Sequence, residues 1–278
     1  MSEALAQQYR EQGFLVLPGF RSPSAIAELR QRADALIQAF DPAGVRPVFT
    51  TREQQRQVDD YFLGSAQTIR CFFEEEAFDA QGQLRQPKAQ SINKIGHALH
   101  DLDPVFDRFS RGADLAALAG VLGLEQPLLW QSMVICKQPG IGGEVRWHQD
   151  ATFFETTPIS VTTFWFALED AHRGNGCLWV QATGHRGPLR ERFVRRGDIA
   201  TIEALDATPW PELDEAVPVE VAAGTLVVLH GLLPHYSAAN RSTRSRYAYT
   251  LHATDARTIY SPQNWLQRDA GLPPRGFV

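Results

Sequence analysis

The tetrapeptide Trp147-His148-Gln149-Asp150 puts an imidazole and a carboxylate two residues apart, inside a run whose composition predicts a β-strand. Side chains at i and i+2 of a strand share a face, so His148 and Asp150 are expected to point into one cavity. An imidazole with a carboxylate suits a borderline-hard divalent cation such as Fe(II), Mn(II) or Zn(II). Alone, the pair also fits a surface strand carrying two ordinary polar residues. A third ligand has to come from a facing strand, and the chain has eight histidines to supply it: His97, His100, His148, His172, His185, His230, His235 and His252.

Two of these stand in comparable settings. His235 opens a short strand after a Gly-Leu-Leu-Pro turn and has Arg246 eleven residues beyond it; His230 ends the apolar run TLVVLHG and has Arg241 eleven residues beyond it. The residues alone leave both open, although a histidine closing a buried strand is often a satisfied core residue. Two imidazoles and one carboxylate form a facial triad that leaves three adjacent positions on iron. Two of these can chelate a 2-oxo acid and the third can take O2. A guanidinium one strand away can then hold the distal carboxylate through a bidentate, charge-assisted contact.

The elements that must position these groups fall into two halves. Ser2 to Gln12 predicts a short helix stopped by Gly13, and Phe14 to Leu17 a short strand. Ser22-Pro23-Ser24 starts a second helix running to about Phe40, with Ile26, Leu29, Ala33, Ile37 and Phe40 on one stripe. Asp103 to Leu122 predicts one or two further helices, interrupted near Gly112. From Leu128 onward, short β-branched and aromatic runs alternate with Gly, Pro and Asn, and seven or eight strands at this spacing imply an antiparallel sandwich or barrel. The expectation is one α+β domain over residues 1–278, mainly β. Its helical part would cover about 1–125 and its jelly-roll core about 126–267.

Composition narrows the function classes. Hydrophobic residues make up 44% and charged residues 21%, ordinary for a soluble globular domain. The net charge of -5 gives no basic field for a nucleic-acid backbone. Three cysteines, Cys71, Cys136 and Cys177, form no C-x-x-C pair and fit a reducing compartment. The N-terminal stretch MSEALAQQYREQGF has no apolar signal core, and no apolar run approaches the roughly 18 residues of a membrane helix. A cytoplasmic enzyme acting on a small molecule is expected, without nucleic acid or membrane, as a monomer or weak homo-oligomer.

Longer stretches carry a resemblance. DYFLGSAQTIRCFFE, SINKIGHALHDLDPVF, QSMVICKQPGIGGEVRWHQDATFF, ALEDAHRGNGCLW, VVLHGLLPHYSAANRSTRSRYAYTLHA and SPQNWLQ together make the chain resemble the phytanoyl-CoA dioxygenase family, from about residue 58 to 267. The resemblance implies a double-stranded β-helix, with Fe(II), 2-oxoglutarate and O2 as cofactor and co-substrates. It implies His148, Asp150 and His235 as the iron ligands and catalytic centre. The family's pattern His-x-Ser-x2-Asn-x-Ser-x3-Arg is met here by His235, Ser237, Asn240, Ser242 and Arg246. This identifies His235 as the third ligand and Arg246 as the 2-oxoglutarate anchor, with Ser237 beside it. Spacing alone does not separate Arg246 from Arg244, two residues away on the same face. Lys94, Met133 and Trp165 match positions lining the co-substrate pocket; by composition they would be a loop lysine and two core residues. Trp147 departs from the family pattern by its bulk. The implied reaction hydroxylates (or desaturates) a C–H bond with release of succinate and CO2, and the carboxylate of Asp150 argues against halogenation.

Other features read as structural. Gly174-Asn175-Gly176 predicts a tight turn, and His185 a fold-stabilising residue. His97 and His100 follow Lys94 closely enough to reach substrate or simply to pack. The arginines at 186, 190, 192, 195 and 196 suit a solvated basic loop or an anionic substrate such as a CoA ester, and residues 190–215 are the candidate substrate loop. A cupin-like metal hydrolase or isomerase would share the barrel and need no anchor at Arg246. A non-catalytic metal or 2-oxo-acid binding protein is the other alternative, and the intact triad and anchor argue against it.

Overall fold

The computed structural model describes residues 3–42, 47–48, 60–197 and 199–278. Ser2, expected to head the first helix, lies outside them, as do residues 58–59 at the start of the resembling stretch and Asp198 within the candidate substrate loop. The first part of the chain forms α1 (Glu3–Gln12), β1 (Phe14–Leu17), α2 (Pro23–Ala39), α3 (Asp60–Leu63), β2 (Ile69–Phe73), β3 (Ile92–His97), α4 (Leu99–Leu102), α5 (Pro104–Ser110) and α6 (Ala113–Val121). The remainder is built of strands: β4 (Pro127–Lys137), β5 (Val145–His148), β6 (Thr156–Thr157), β7 (Thr162–Ala167), β8 (Leu178–Val180) and β9 (Glu191–Arg196). They continue with β10 (Ile199–Ala204), β11 (Val217–Val219), β12 (Leu226–His230), β13 (His235–Ser237), β14 (Arg246–Asp255) and β15 (Ile259–Tyr260).

Local chemistry explains the helix boundaries. Ser22 caps α2 by accepting from the Ala25 N–H at 3.2 Å, and Pro23 occupies the first turn, where a missing N–H costs nothing. Asp103 caps α5 by accepting from Val105 and Phe106, again with a proline next in sequence. Arg111 and Gly112 then break the helical run, with Gly112 at φ 149°, so Asp103 to Leu122 forms two helices.

Two antiparallel sheets face one another. The larger has the order β1-β12-β7-β14-β4-β3-β2, and the smaller β11-β8-β13-β5. This is the jelly-roll arrangement of a double-stranded β-helix. Three strands from the first 125 residues, β1, β2 and β3, extend the larger sheet, so that part of the chain is a jacket of helices and strands together.

Period-two alternation sorts the side chains of the larger sheet. Its outer face carries Phe164, Phe166, Val228, Tyr249 and Leu251 against Leu29, Phe106 and Leu115 of the helices. Its inner face carries Trp165, Ala167, Val227, Leu229 and Ala248 against Leu178, Val180 and Val219 of the smaller sheet. Leu29 is fully buried, so truncating it to Ala costs about 2–5 kcal/mol. Only one end of the inner face is filled with apolar side chains. Along the rest, β14 turns Arg246, Thr250 and His252 inward, and β4 turns Gln131, Met133, Ile135 and Lys137 into a cavity.

Candidate metal and co-substrate site

Register brings the site together. In the smaller sheet His235 of β13 pairs directly with His148 of β5, and their rings lie 4.1 Å apart between centroids. β5 ends at His148, so Asp150 does not sit in a strand as its spacing suggested; it begins a 3-10 turn, Asp150–Thr152. Gln149 between them keeps extended torsions (φ -119°, ψ 136°), so His148 and Asp150 still face the same way. Gln149 itself points behind the site, where its amide donates to Pro188 and Leu232 carbonyls at 3.0 and 2.8 Å.

One ligand atom from each of His148, Asp150 and His235 lies within 4.8 Å of the others. The Nε2 atoms of His148 and His235 stand 3.7 and 3.8 Å from Asp150 Oδ1, too far for hydrogen bonds but suited to atoms that share one ion. Each Nδ1 faces a backbone carbonyl, Arg146 O at 2.8 Å and Leu233 O at 3.0 Å. Those contacts place the proton on Nδ1 and make Nε2 the atom each ring can offer a metal. Burial alone would raise the pKa of Asp150, but His235, His252 and His148 more than offset it and hold the carboxyl well below the usual range. Thr163 donates to the other oxygen, Oδ2.

Arg246 forms the second centre. It is 1% exposed, donates through Nε to Gly176 O at 3.1 Å and through Nη2 to Ser237 Oγ at 3.2 Å, and lies over the Trp165 ring at 5.5 Å. Its Nη1 has no hydrogen-bond partner among the described residues. Burial lowers its pKa from the ordinary guanidinium range to about 10, an effect that nearby Cys177, Cys136 and acidic groups only partly relieve. A buried cation with an unmatched donor calls for an anion. Arg244 is exposed and precedes the strand, whereas Arg246 is buried on it.

The triad opens on a cavity of about 560 Å³ whose lining includes Lys94, Met133, His148 and Asp150. Lys94 pairs with Ile135, and Met133 pairs with Thr250, which also faces Trp165. His235, Ser237, Arg246 and Trp165 are buried but do not belong to that lining. Trp147 lines the cavity and stacks on Tyr236 at 5.4 Å, so its bulk shapes the wall next to the first ligand. His97 reaches the cavity; His100 is sealed against Asp101 at 3.0 Å and Ser132 at 2.8 Å. His230 lies away from the triad, beside the rings of Tyr9 and His185. Residues 190–215 include the β9–β10 hairpin and give Glu191, Ile202 and Trp210 to the cavity. The arginines here look elsewhere: Arg192 pairs with Glu203 at 2.8 Å, Arg195 donates to Gly197 O, Arg186 to Glu11 O, and Arg190 stacks on Trp210. None of them lines the cavity.

Three contributors were not singled out from the residues. Thr163 supports Asp150. Gly176, read as part of a turn, also supplies the carbonyl that receives both Arg246 and Ser237, the latter at 2.8 Å. His252 brings Nε2 to 3.6 Å from Asp150 Oδ1 and lines the cavity. The signal that finds it is its place on β14, six residues after Arg246 and hence on the same face.

A jelly roll that gathers two imidazoles and a carboxylate near a buried guanidinium, whose Nη1 has no partner among the described residues, defines a protein built for a divalent metal and an anionic co-substrate. Comparison with known proteins carries this further. The family model for phytanoyl-CoA dioxygenase (PhyH) matches residues 9–248. Phytanoyl-CoA dioxygenase 1 of Oryza sativa subsp. japonica is 47% identical over 264 residues, covering 95% of this chain and 92% of its own. Phytanoyl-CoA dioxygenase domain-containing protein 1 of Bos taurus is 44% identical over 282 residues, covering 98% and 97%. Among solved structures, EctD from S. alaskensis with 2-oxoglutarate and 5-hydroxyectoine has the same fold, with TM-score 0.66 at 20% identity over 97% of this chain and 84% of that one. The chain belongs to the phytanoyl-CoA dioxygenase family, and it is a 2-oxoglutarate-dependent non-haem iron oxygenase.

Proposed function

We propose that the protein binds Fe(II) through His148, Asp150 and His235, anchors 2-oxoglutarate at Arg246 and hydroxylates a C–H bond of a small molecule. The observation that carries this reading is the pairing of two centres: a triad of mutually close ligand atoms whose two imidazoles turn Nδ1 to backbone carbonyls, and a buried Arg246 whose Nη1 lacks a partner among the described residues. When bound, iron and 2-oxoglutarate supply the oxidising chemistry, in which 2-oxoglutarate and O2 yield succinate and CO2 and one oxygen atom enters the substrate.

The chain's own residues provide the setting. Arg246 and Ser237 hold the distal carboxylate, and Trp165 supports the guanidinium from below. Met133 and Lys94 line the cavity beside the metal ligands. The backbone carbonyls of Arg146 and Leu233 fix the imidazoles in one tautomer, so no reorganisation is needed when the ligands engage. Asp150 occupies the position of the carboxylate ligand, which favours hydroxylation over halogenation. Aromatic side chains around the cavity (Phe62, Phe153, Phe154, Trp265) exclude bulk water from the reacting centre. The cavity wall sets Glu74, Glu75, Glu144 and Glu191 beside Lys94, Lys137 and Arg146 and takes none of the arginines between 186 and 196, a mixed lining that argues against a polyanionic reacting portion.

The test is succinate formation from 2-oxoglutarate, with and without a metabolite library, in Fe(II)-loaded protein. His148→Ala and His235→Ala are expected to abolish it, and His230→Ala to retain it. Undiminished succinate from either triad variant sinks the ligand assignment.

A further inference from the structure

One histidine beside the metal site remains without a role. His252 sits on β14, opposite Gln131 of β4 and Thr163 of β7, and is 4% exposed. Its ring stacks on Phe154 at 4.8 Å between centroids and 17° between planes. Its Nδ1 is sealed from solvent with no hydrogen-bond partner among the described residues. Leaving such an atom unsatisfied costs about 1–3 kcal/mol, a cost that a phenylalanine stacked in the same place would not carry. The opposite ring edge looks at Asp150, with Nε2 3.6 Å from Oδ1.

We propose that His252 is a positioning residue of the metal site, which presents Nε2–H to Oδ1 of Asp150 while Thr163 holds Oδ2. This deepens the proposed function and rests on its assignment of the metal to Asp150. The tautomer follows from the surroundings. A proton sealed on Nδ1 would be a buried, unmatched donor, whereas a proton on Nε2 faces a carboxylate. His252 is not a fourth ligand, because among the described residues the mutually close set is His148, Asp150 and His235. At 3.6 Å the contact is longer than a closed hydrogen bond, so its work is orientation. With Thr163 on one oxygen and His252 beside the other, the carboxylate has little freedom to rotate. Oδ1 then remains turned toward His148 and His235.

Outer partners of a metal-ligating group typically change metal affinity about 10–100-fold when removed. The experiment measures Co(II) binding to the full-length protein by calorimetry and by the visible ligand-field spectrum, together with thermal melting of the metal-free protein. His252→Phe keeps the ring stacked on Phe154 and removes the donor; His252→Gln restores an N–H near the Nε2 position. The proposal expects the Kd to rise at least tenfold in His252→Phe with an altered spectrum. It also expects a return to within about threefold of wild type in His252→Gln and a metal-free melting temperature that is not lowered in either variant. Wild-type affinity in His252→Phe overturns it, as does a His252→Gln as weak as His252→Phe. Complete loss in both, matching His148→Ala, would make His252 a ligand and overturn it equally. If wild type itself binds no Co(II), the metal assignment fails before His252 enters.

Discussion

Replacing Arg246 by Met separates co-substrate binding from folding. The guanidinium is fully buried, and the lowering of its pKa to about 10 amounts to about 3 kcal/mol against the charged form. A base whose folded pKa is depressed carries that cost in full below about pH 10 and sheds it only as the pH climbs toward the ordinary guanidinium range. At neutral pH the whole cost is therefore present. The hydrogen bonds to Gly176 O and Ser237 Oγ return a similar amount, because a charged donor makes each worth about 1.5–3 kcal/mol. Arg246→Met fills much of the same space, and Ser237 keeps its own bond to Gly176 O. Stability without co-substrate is thus expected to change by no more than about 1 kcal/mol, where a well-paired buried charge would cost about 3–5 to break. Binding of 2-oxoglutarate should weaken by about 3 kcal/mol, close to a hundredfold, because the distal carboxylate loses the guanidinium proposed to hold it. The assay is urea unfolding with and without 2-oxoglutarate, alongside anaerobic titration of the Fe(II) protein. A loss above about 3 kcal/mol without co-substrate, or 2-oxoglutarate affinity within about threefold of wild type, would refute the reasoning.

Two further predictions test the surroundings of the site. Gly176 has φ 85°, and a Cβ there would stand 2.6 Å from Ala238 O and 2.8 Å from Lys137 Cδ. Gly176→Ala should lower stability by about 1–3 kcal/mol and, by moving the carbonyl under Arg246, weaken 2-oxoglutarate about tenfold; calorimetry on the folded fraction checks the second part. Burial, with His185 adding, lowers the pKa of His230 from 6.5 to about 4. The unfolded chain then takes up a proton that the folded one resists, so stability falls as the pH drops from about 6.5 to 4, by about 3 kcal/mol, and this contribution changes no further below that. His230→Phe should flatten that part of the unfolding-versus-pH curve, and an unchanged slope would assign the acid sensitivity elsewhere.

Much of the site was legible because strand periodicity is simple. His148 and Asp150 follow from two-residue spacing, and the rule survives the end of β5 because Gln149 stays extended. His235 and His230 could not be separated by spacing, since both sit at strand ends with an arginine eleven residues on. The difference lies in register, which pairs His235 with His148 and sends His230 toward α1. β3 was missed because Asn93, Lys94 and His97 face the cavity, and polar residues turned inward erase the apolar pattern that marks a strand. Thr163 and Gly176 act through a single hydroxyl and a single carbonyl, neither of which leaves a trace in composition.

The most direct test of the central claim is the visible absorption of the anaerobic protein on adding Fe(II) and 2-oxoglutarate. One broad charge-transfer band is expected, requiring both additions and saturating at one Fe(II) per chain. His235→Ala should lose it, Arg246→Met should need far more 2-oxoglutarate to develop it, and His230→Ala should keep it. No band in wild type, or a full band in His235→Ala, would contradict the assignment of iron to His148, Asp150 and His235.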